Sequence, residues 1–222
     1  MNITRLELLS ADLEAQKDFY ANVLELPVRR DSTILEVKAG KTELLFTEAP
    51  EFDGAYHFAF NIPESQFDSA KMWISSRVSL LRDENGNDEF HFENWNSSSV
   101  YFKDAAGNVL ELIARHNLKN VMNTEFDSNQ ILNVSEIGLP SEDVIRLADE
   151  ICKRLDVSVF RQEPNESFTP VGDDNGLLII PVKDRIWFPN SDVPARLLSV
   201  RVEGTINGKE WDVRGVPYEI TV

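Results

Sequence analysis

Cysteine is almost missing from this chain of 222 residues: Cys152 stands alone. One thiol closes no bridge within the chain, so a disulfide-stapled fold is excluded and a reducing, cytoplasmic home is the expectation. No base lies near Cys152 in sequence to make it a nucleophile, and packing on the apolar side of a helix is its expected use. Positive charge is also scarce. The 22 Lys and Arg face 38 Asp and Glu, for a formal net charge of −16. Without a clustered basic run, the composition argues against a nucleic-acid surface and against docking on anionic lipid. No apolar run approaches the roughly 20 residues of a membrane span. The start, MNITRLELLSADLE, is charged from Arg5 onward with no apolar stretch, so no signal peptide is expected. The chain does have enough apolar residues, 42%, to build a packed core. Its length fits one domain with a smaller appendage.

Three segments share one rhythm: 3–28, 56–81 and 131–159. Each opens with an alternating strand and then shows a helix-start signal: Ser10 with Asp12, Pro63, and Pro140 with Ser141. Each continues as an amphipathic helix. In the third, Val144, Leu147, Ala148, Ile151 and Leu155 fall on one stripe. Strand-rich sequence follows each helix, at 35–48, 100–115 and 168–182, broken by the turn residues Ala39-Gly40, Ala106-Gly107-Asn108 and Asn175-Gly176. The unit is therefore βαβββ, and the fold class is α+β. The expected division is a domain of two modules at 1–117, a linker at 118–130, and a third module with C-terminal strands at 131–222. The tail, 196–222, has strands and no helix, an incomplete fourth unit. One module covers only one face of its sheet, so the first two are expected side by side in a curved eight-stranded sheet with a concave cup. The unpaired third module makes a homodimer plausible.

The stretches LLSADLEAQKDFYANVLEL (8–26), HFAFNIPE (57–64) and DAAGNVLELIAR (104–115) resemble, in this order, the vicinal oxygen chelate superfamily. Its members include glyoxalase I, extradiol dioxygenases, and fosfomycin- and bleomycin-resistance proteins. The resemblance covers about the first 115 residues; the third unit resembles the same module more weakly. It implies a cup that binds a small organic molecule, beside a metal held by first-strand and last-strand residues. Matched motif by motif, His57 of HFAF, Glu111 of GNVLEL and Glu43 of TELLF are the implied metal ligands. One nitrogen and two oxygen donors suit Fe, Mn, Ni or Zn. The first-strand position that normally carries histidine is Arg5, whose guanidinium has no lone pair to give.

Strand period supports one shared face independently. With Leu6 and Leu8 packed under the helix, Arg5 and Glu7 face the cup; with Tyr56, Phe58 and Phe60 packed, His57 and Asn61 do; with Leu44 and Phe46 packed, Glu43 does. Glu111 then meets them there, with Glu7 as a candidate base beside it. Arg5, Asn61 and Trp95 are the candidate substrate contacts. Trp95 alternates with His91 and Glu93 toward the entrance. Because Arg5 supplies a built-in cation, a metal-free cup is expected over a metal-loaded one. Two functions follow: lyase, isomerase or extradiol-type dioxygenase chemistry on a small molecule, or a binding or resistance protein without turnover. In the third unit, Glu136 takes the first-strand ligand position. Leu177, Leu178, Ile179 and Ile180 offer it no ligand partner, so no metal site is expected in that half. Trp187 and Phe188 are expected to pack between units.

Overall fold

A computed structural model describes all 222 residues, Met1–Val222. The first module comprises β1 (Asn2–Ser10), α1 (Leu13–Asp18, continued by a wide turn at Phe19–Val23), β2 (Val28–Arg30), β3 (Ile34–Ala39) and β4 (Thr42–Glu48). The second comprises β5 (His57–Ile62), α2 (Phe67–Ser75), β6 (Phe90–Phe92), β7 (Ser97–Lys103) and β8 (Val109–Arg115). The third has β9 (Asn133–Gly138), α3 (Val144–Leu155), β10 (Phe168–Asp173) and β11 (Gly176–Pro181). The tail supplies β12 (Val200–Ile206), β13 (Lys209–Gly215) and β14 (Glu219–Thr221), without a helix.

Local chemistry accounts for the helix ends. The Asp12 carboxylate accepts from the Ala15 amide to start α1, and Asp143 accepts from Arg146 to start α3. The whole apolar stripe of α3, Val144, Leu147, Ala148, Ile151 and Leu155, is buried. Between β3 and β4, Gly40 sits at a positive φ of 57°, and a Cβ there would come within 2.2 Å of the Leu132 carbonyl oxygen. Glycine is what lets this turn approach the start of β9.

The modules pair in an order that differs from the expected one. The first and second do not share a sheet. One seven-stranded sheet runs β14-β13-β12-β1-β4-β3-β2, and the other runs β10-β11-β9-β5-β8-β7-β6. The first module thus joins the C-terminal strands through β1 and β12, antiparallel. The second joins the third through β5 and β9, also antiparallel. Alternation within a strand fixes which face a side chain takes; it carries no information about which distant strand lies alongside.

One continuous core of 45 buried residues draws on both sheets and all three helices, so the sheets stabilise each other. At their junction the buried Asp104 carboxylate accepts from Gln16 Nε2 at 2.8 Å and from the Tyr20 hydroxyl at 3.0 Å. This ties α1 of the first module to the β7–β8 turn of the second.

The two sheets treat their other faces differently. In the first sheet that face is polar and open: Arg5 bonds Glu7 at 2.7 Å, and the side chain of Glu43 is 59% exposed. In the second sheet every residue of β5, β8 and β11 is buried. A second apolar cluster, including Tyr101, Phe160, Leu177, Ile179 and Trp187, covers what would otherwise be an open cup.

Candidate functional site

On that covered face, one row of side chains crosses five strands. Tyr101 lies opposite Glu111, Glu111 beside Ala59, Ala59 opposite Glu136, and Glu136 beside Leu177. The methyl group of Ala59 leaves room between the two carboxylates. His57, two residues earlier on β5, points to the same side. Ligand atoms of His57, Glu111 and Glu136 all fall within 4.8 Å of one another, and Glu111 Oε2 is 3.8 Å from His57 Nε2.

His57 is fixed at its other nitrogen. Nδ1 lies 3.0 Å from the Val109 carbonyl oxygen; a carbonyl only accepts, so Nδ1 carries the hydrogen and Nε2 turns its lone pair toward the carboxylates. Burial drives the imidazole pKa down to about 4, against a smaller opposing effect of the Val109 carbonyl. The ring is thus neutral and able to ligate at pH 7. Burial, then the neighbouring Glu136 charge, pushes the Glu111 carboxyl up to about 8; the Ser99 and Tyr101 hydroxyls and Arg115 pull the other way. Glu136 is also raised by burial, with Arg115 opposing. Tyr101 is raised well above its ordinary value by burial and by both carboxylates.

Arg115, at the end of β8, is buried and ion-pairs through Nη2 with Glu136 Oε1. Its Nε donates to Asn61 Oδ1 at 3.1 Å, and Asn61 Nδ2 donates to the Asp174 carbonyl at 3.0 Å. The guanidinium lies 5.7 Å from the centre of the Trp95 ring and 5.8 Å from that of Phe160. A pocket of about 240 Å³ opens over the row. It is lined by His57, Glu111, Glu136, Tyr101, Trp95 and a strap, Arg185–Phe188, that follows β11. Trp187 of the strap packs on the His57 ring, with centroids 4.8 Å apart. Room for it comes from Gly138, where a Cβ would sit 2.5 Å from Trp187 Cη2.

The structure brings His57, Glu111, Asn61 and Trp95 to one region and separates them from Arg5, Glu7 and Glu43. Those three lie on the open face of the other sheet: Arg5 bonds Glu7 and reaches Glu43 at 3.4 Å, and Glu7 also meets Arg201 at 3.5 Å. Arg5 therefore does not neutralise Glu111. Glu136 has its partners across the module boundary, because β9 lies beside β5; a search within its own module finds only Leu177 and its neighbours. Trp187 packs between the second and third modules, and Phe188, though 42% exposed, lays its ring against Phe90, Phe92 and Tyr101 of the second. His91 and His116 bond Ser98 from either side, at 2.8 and 3.0 Å, and neither lines the pocket. Arg115 carried no sequence signal beyond being a basic residue at a strand end.

The architecture is that of glyoxalase-like proteins. A candidate dioxygenase from Bacillus subtilis aligns at a TM-score of 0.57 and 15% identity, over 82% of this chain and 64% of that one. Glyoxalase I from Zea mays aligns at 0.54 and 13% identity, over 96% of this chain and 87% of that one. A lactoylglutathione lyase from Agrobacterium tumefaciens covers 50% of this chain and 91% of its own, at 23% identity and a TM-score of 0.43. No family model and no curated protein matches the sequence. The first two of these likenesses establish the glyoxalase/dioxygenase-type fold. No helix is long and apolar enough to cross a membrane.

Proposed function

We propose that the pocket between the second and third modules binds a small organic molecule beside a divalent metal held by His57, Glu111 and Glu136. The observation that carries this is the convergence of their three ligand atoms within 4.8 Å at the wall of a largely apolar pocket. Metal–ligand bonds of about 2.1 Å place two ligands at most about 4.2 Å apart. The cluster thus fits after an inward movement of under about 1 Å. One imidazole and two carboxylates suit Fe, Mn, Ni or Zn. Leu177, next in the row, offers no fourth donor, which leaves positions for water or for substrate oxygens. When bound, the metal supplies Lewis acidity to a substrate oxygen. The chain's own residues do the rest. Val109 fixes the His57 tautomer, Arg115 holds Glu136 by one oxygen, and Trp187, Tyr101 and Phe168 exclude water from the floor. Reaction classes consistent with this arrangement are lyase, isomerase and extradiol-type dioxygenase chemistry.

The test is elemental analysis of protein purified without a metal-binding tag, then equilibrated with each of the four metals. Near one metal per chain is expected, lost in His57→Ala and Glu111→Gln and kept in Arg5→His and Glu43→Gln. Uptake that ignores His57→Ala refutes the site. A second reading rests on the Arg115–Glu136 ion pair. With that pair formed and a proton on Glu111, the floor of the pocket is electrically balanced without a metal and the pocket serves as a binding site without turnover. Absence of uptake with all four metals selects it.

A further inference from the structure

The pocket carries a second cation, Arg185, that plays no part in the metal cluster. We propose that Arg185 receives an anionic group of the ligand, so that the molecule bound here is a flat, ring-bearing carboxylate or similar oxyanion. The inference deepens the reading of this pocket as a small-molecule site and rests on it.

Arg185 lines the pocket with the aromatic side chains and sits exposed at its edge. Its guanidinium lies over the Phe168 ring, 4.8 Å from the centroid. Its protein hydrogen bond runs from Nη1 to the Ser167 carbonyl, at 3.3 Å. No carboxylate pairs with it. In a chain with 38 acidic and 22 basic side chains, that is informative, because eleven of the thirteen arginines are ion-paired, Arg29 being the other that is not. The ring of Phe168 holds the guanidinium plane while leaving its Nε–Nη2 edge free. That edge is the fork that grips a carboxylate or phosphate with two parallel hydrogen bonds.

Spacing and lining define the rest of the ligand. Arg185 and Trp187 stand two residues apart on the strap, and Trp187 covers His57. At about 3.3 Å per extended residue, the strap separates them by about 7 Å, the length of one ring with its substituent. Trp95, Tyr101, Phe168 and Phe188 are also on the wall, where ring faces and edges favour a flat apolar body. Arg115 already neutralises Glu136 on the floor, which reduces the repulsion an incoming anion meets there.

The experiment uses the full chain and two probes of one shape: 2-naphthoate and its neutral counterpart 2-naphthamide. Binding is followed by calorimetry and by ¹H–¹⁵N NMR shifts of the Trp95 and Trp187 side chains. The expected result is that naphthoate binds at least tenfold more tightly than naphthamide, with both probes shifting the two indoles. Arg185→Gln abolishes the preference, and Arg185→Lys keeps part of it. Equal affinities in the wild type, or a preference that survives Arg185→Gln, overturn the role of Arg185 while the pocket stands. Failure of both probes to shift either indole overturns the pocket reading and this assignment together.

Discussion

Removing the charge at Glu111 should change how stability depends on pH, and the size of the change can be worked from the site. In the metal-free protein, Glu111 titrates near 8 when folded, against 4.5 for an ordinary glutamate. Below 4.5 both states carry the proton. Between 4.5 and 8 the folded chain holds it and the unfolded chain does not, so stability falls as pH rises and the contribution is gone above 8. His57 acts in the opposite sense. Its folded value near 4 lies below the ordinary 6.5, so its contribution is present above 6.5 and is lost as pH falls through 4. From 4.5 to 6.5 these two slopes cancel, and from 6.5 to 8 the Glu111 slope alone of the two remains. One proton over 1.5 pH units at 1.36 kcal/mol each is about 2 kcal/mol, or about 4–8 °C in Tm for a protein of this size.

The assay is thermal unfolding in the presence of a chelator at pH 6.5 and 8, on wild type and Glu111→Gln. The wild type should lose about 2 kcal/mol more than the variant over that interval. A metal at the cluster holds Glu111 ionised and should remove the difference. Parallel pH profiles for the two chelated proteins would refute the burial argument, because they would mean that Glu111 is solvated enough to ionise normally.

Two further outcomes follow from the packing. Arg115→Met leaves the buried Glu136 carboxylate without its partner and should cost about 3–5 kcal/mol, whereas Arg115→Met with Glu136→Met should recover most of that; urea titrations of the two variants check this, and a double variant as unstable as the single one would count against the ion pair. Gly138→Ala brings a methyl within 2.5 Å of Trp187 Cη2 and should cost about 1–3 kcal/mol while making the indole more exposed, read from a red-shifted fluorescence and faster quenching by acrylamide.

Some of this was legible in the residues and some was not, for a physical reason. The faces taken by His57, Glu111, Arg5, Glu7 and Glu43 follow from strand period, because each backbone step turns the side chain over. The modules themselves were visible in the repeat of strand, cap and amphipathic helix. Strand neighbours were not. Arg5 and His57 occupy equivalent places in successive modules, yet β1 chooses β12 and β5 chooses β9, and a hydrogen-bond ladder that long-range leaves no local trace. Glu136 therefore has no partner within its own module, and the burial of Arg115 follows only from Glu136 and Asn61 standing beside it. The apolar run Leu177–Val182 hints at the covered face: a sheet that is buried on both sides has no alternation to show.

The pairing of β1 with β12 also sets a condition on how the chain is made. Asn2 lies opposite Thr205, so during synthesis β1 waits for about 200 further residues before its antiparallel neighbour β12 emerges. Until then β1 offers one open edge with Leu6 and Leu8 on its apolar side, a template for other chains. The β5–β9 pair closes much earlier in translation. The half that holds the pocket can thus assemble on the ribosome before β12 and β13 emerge to complete the other sheet.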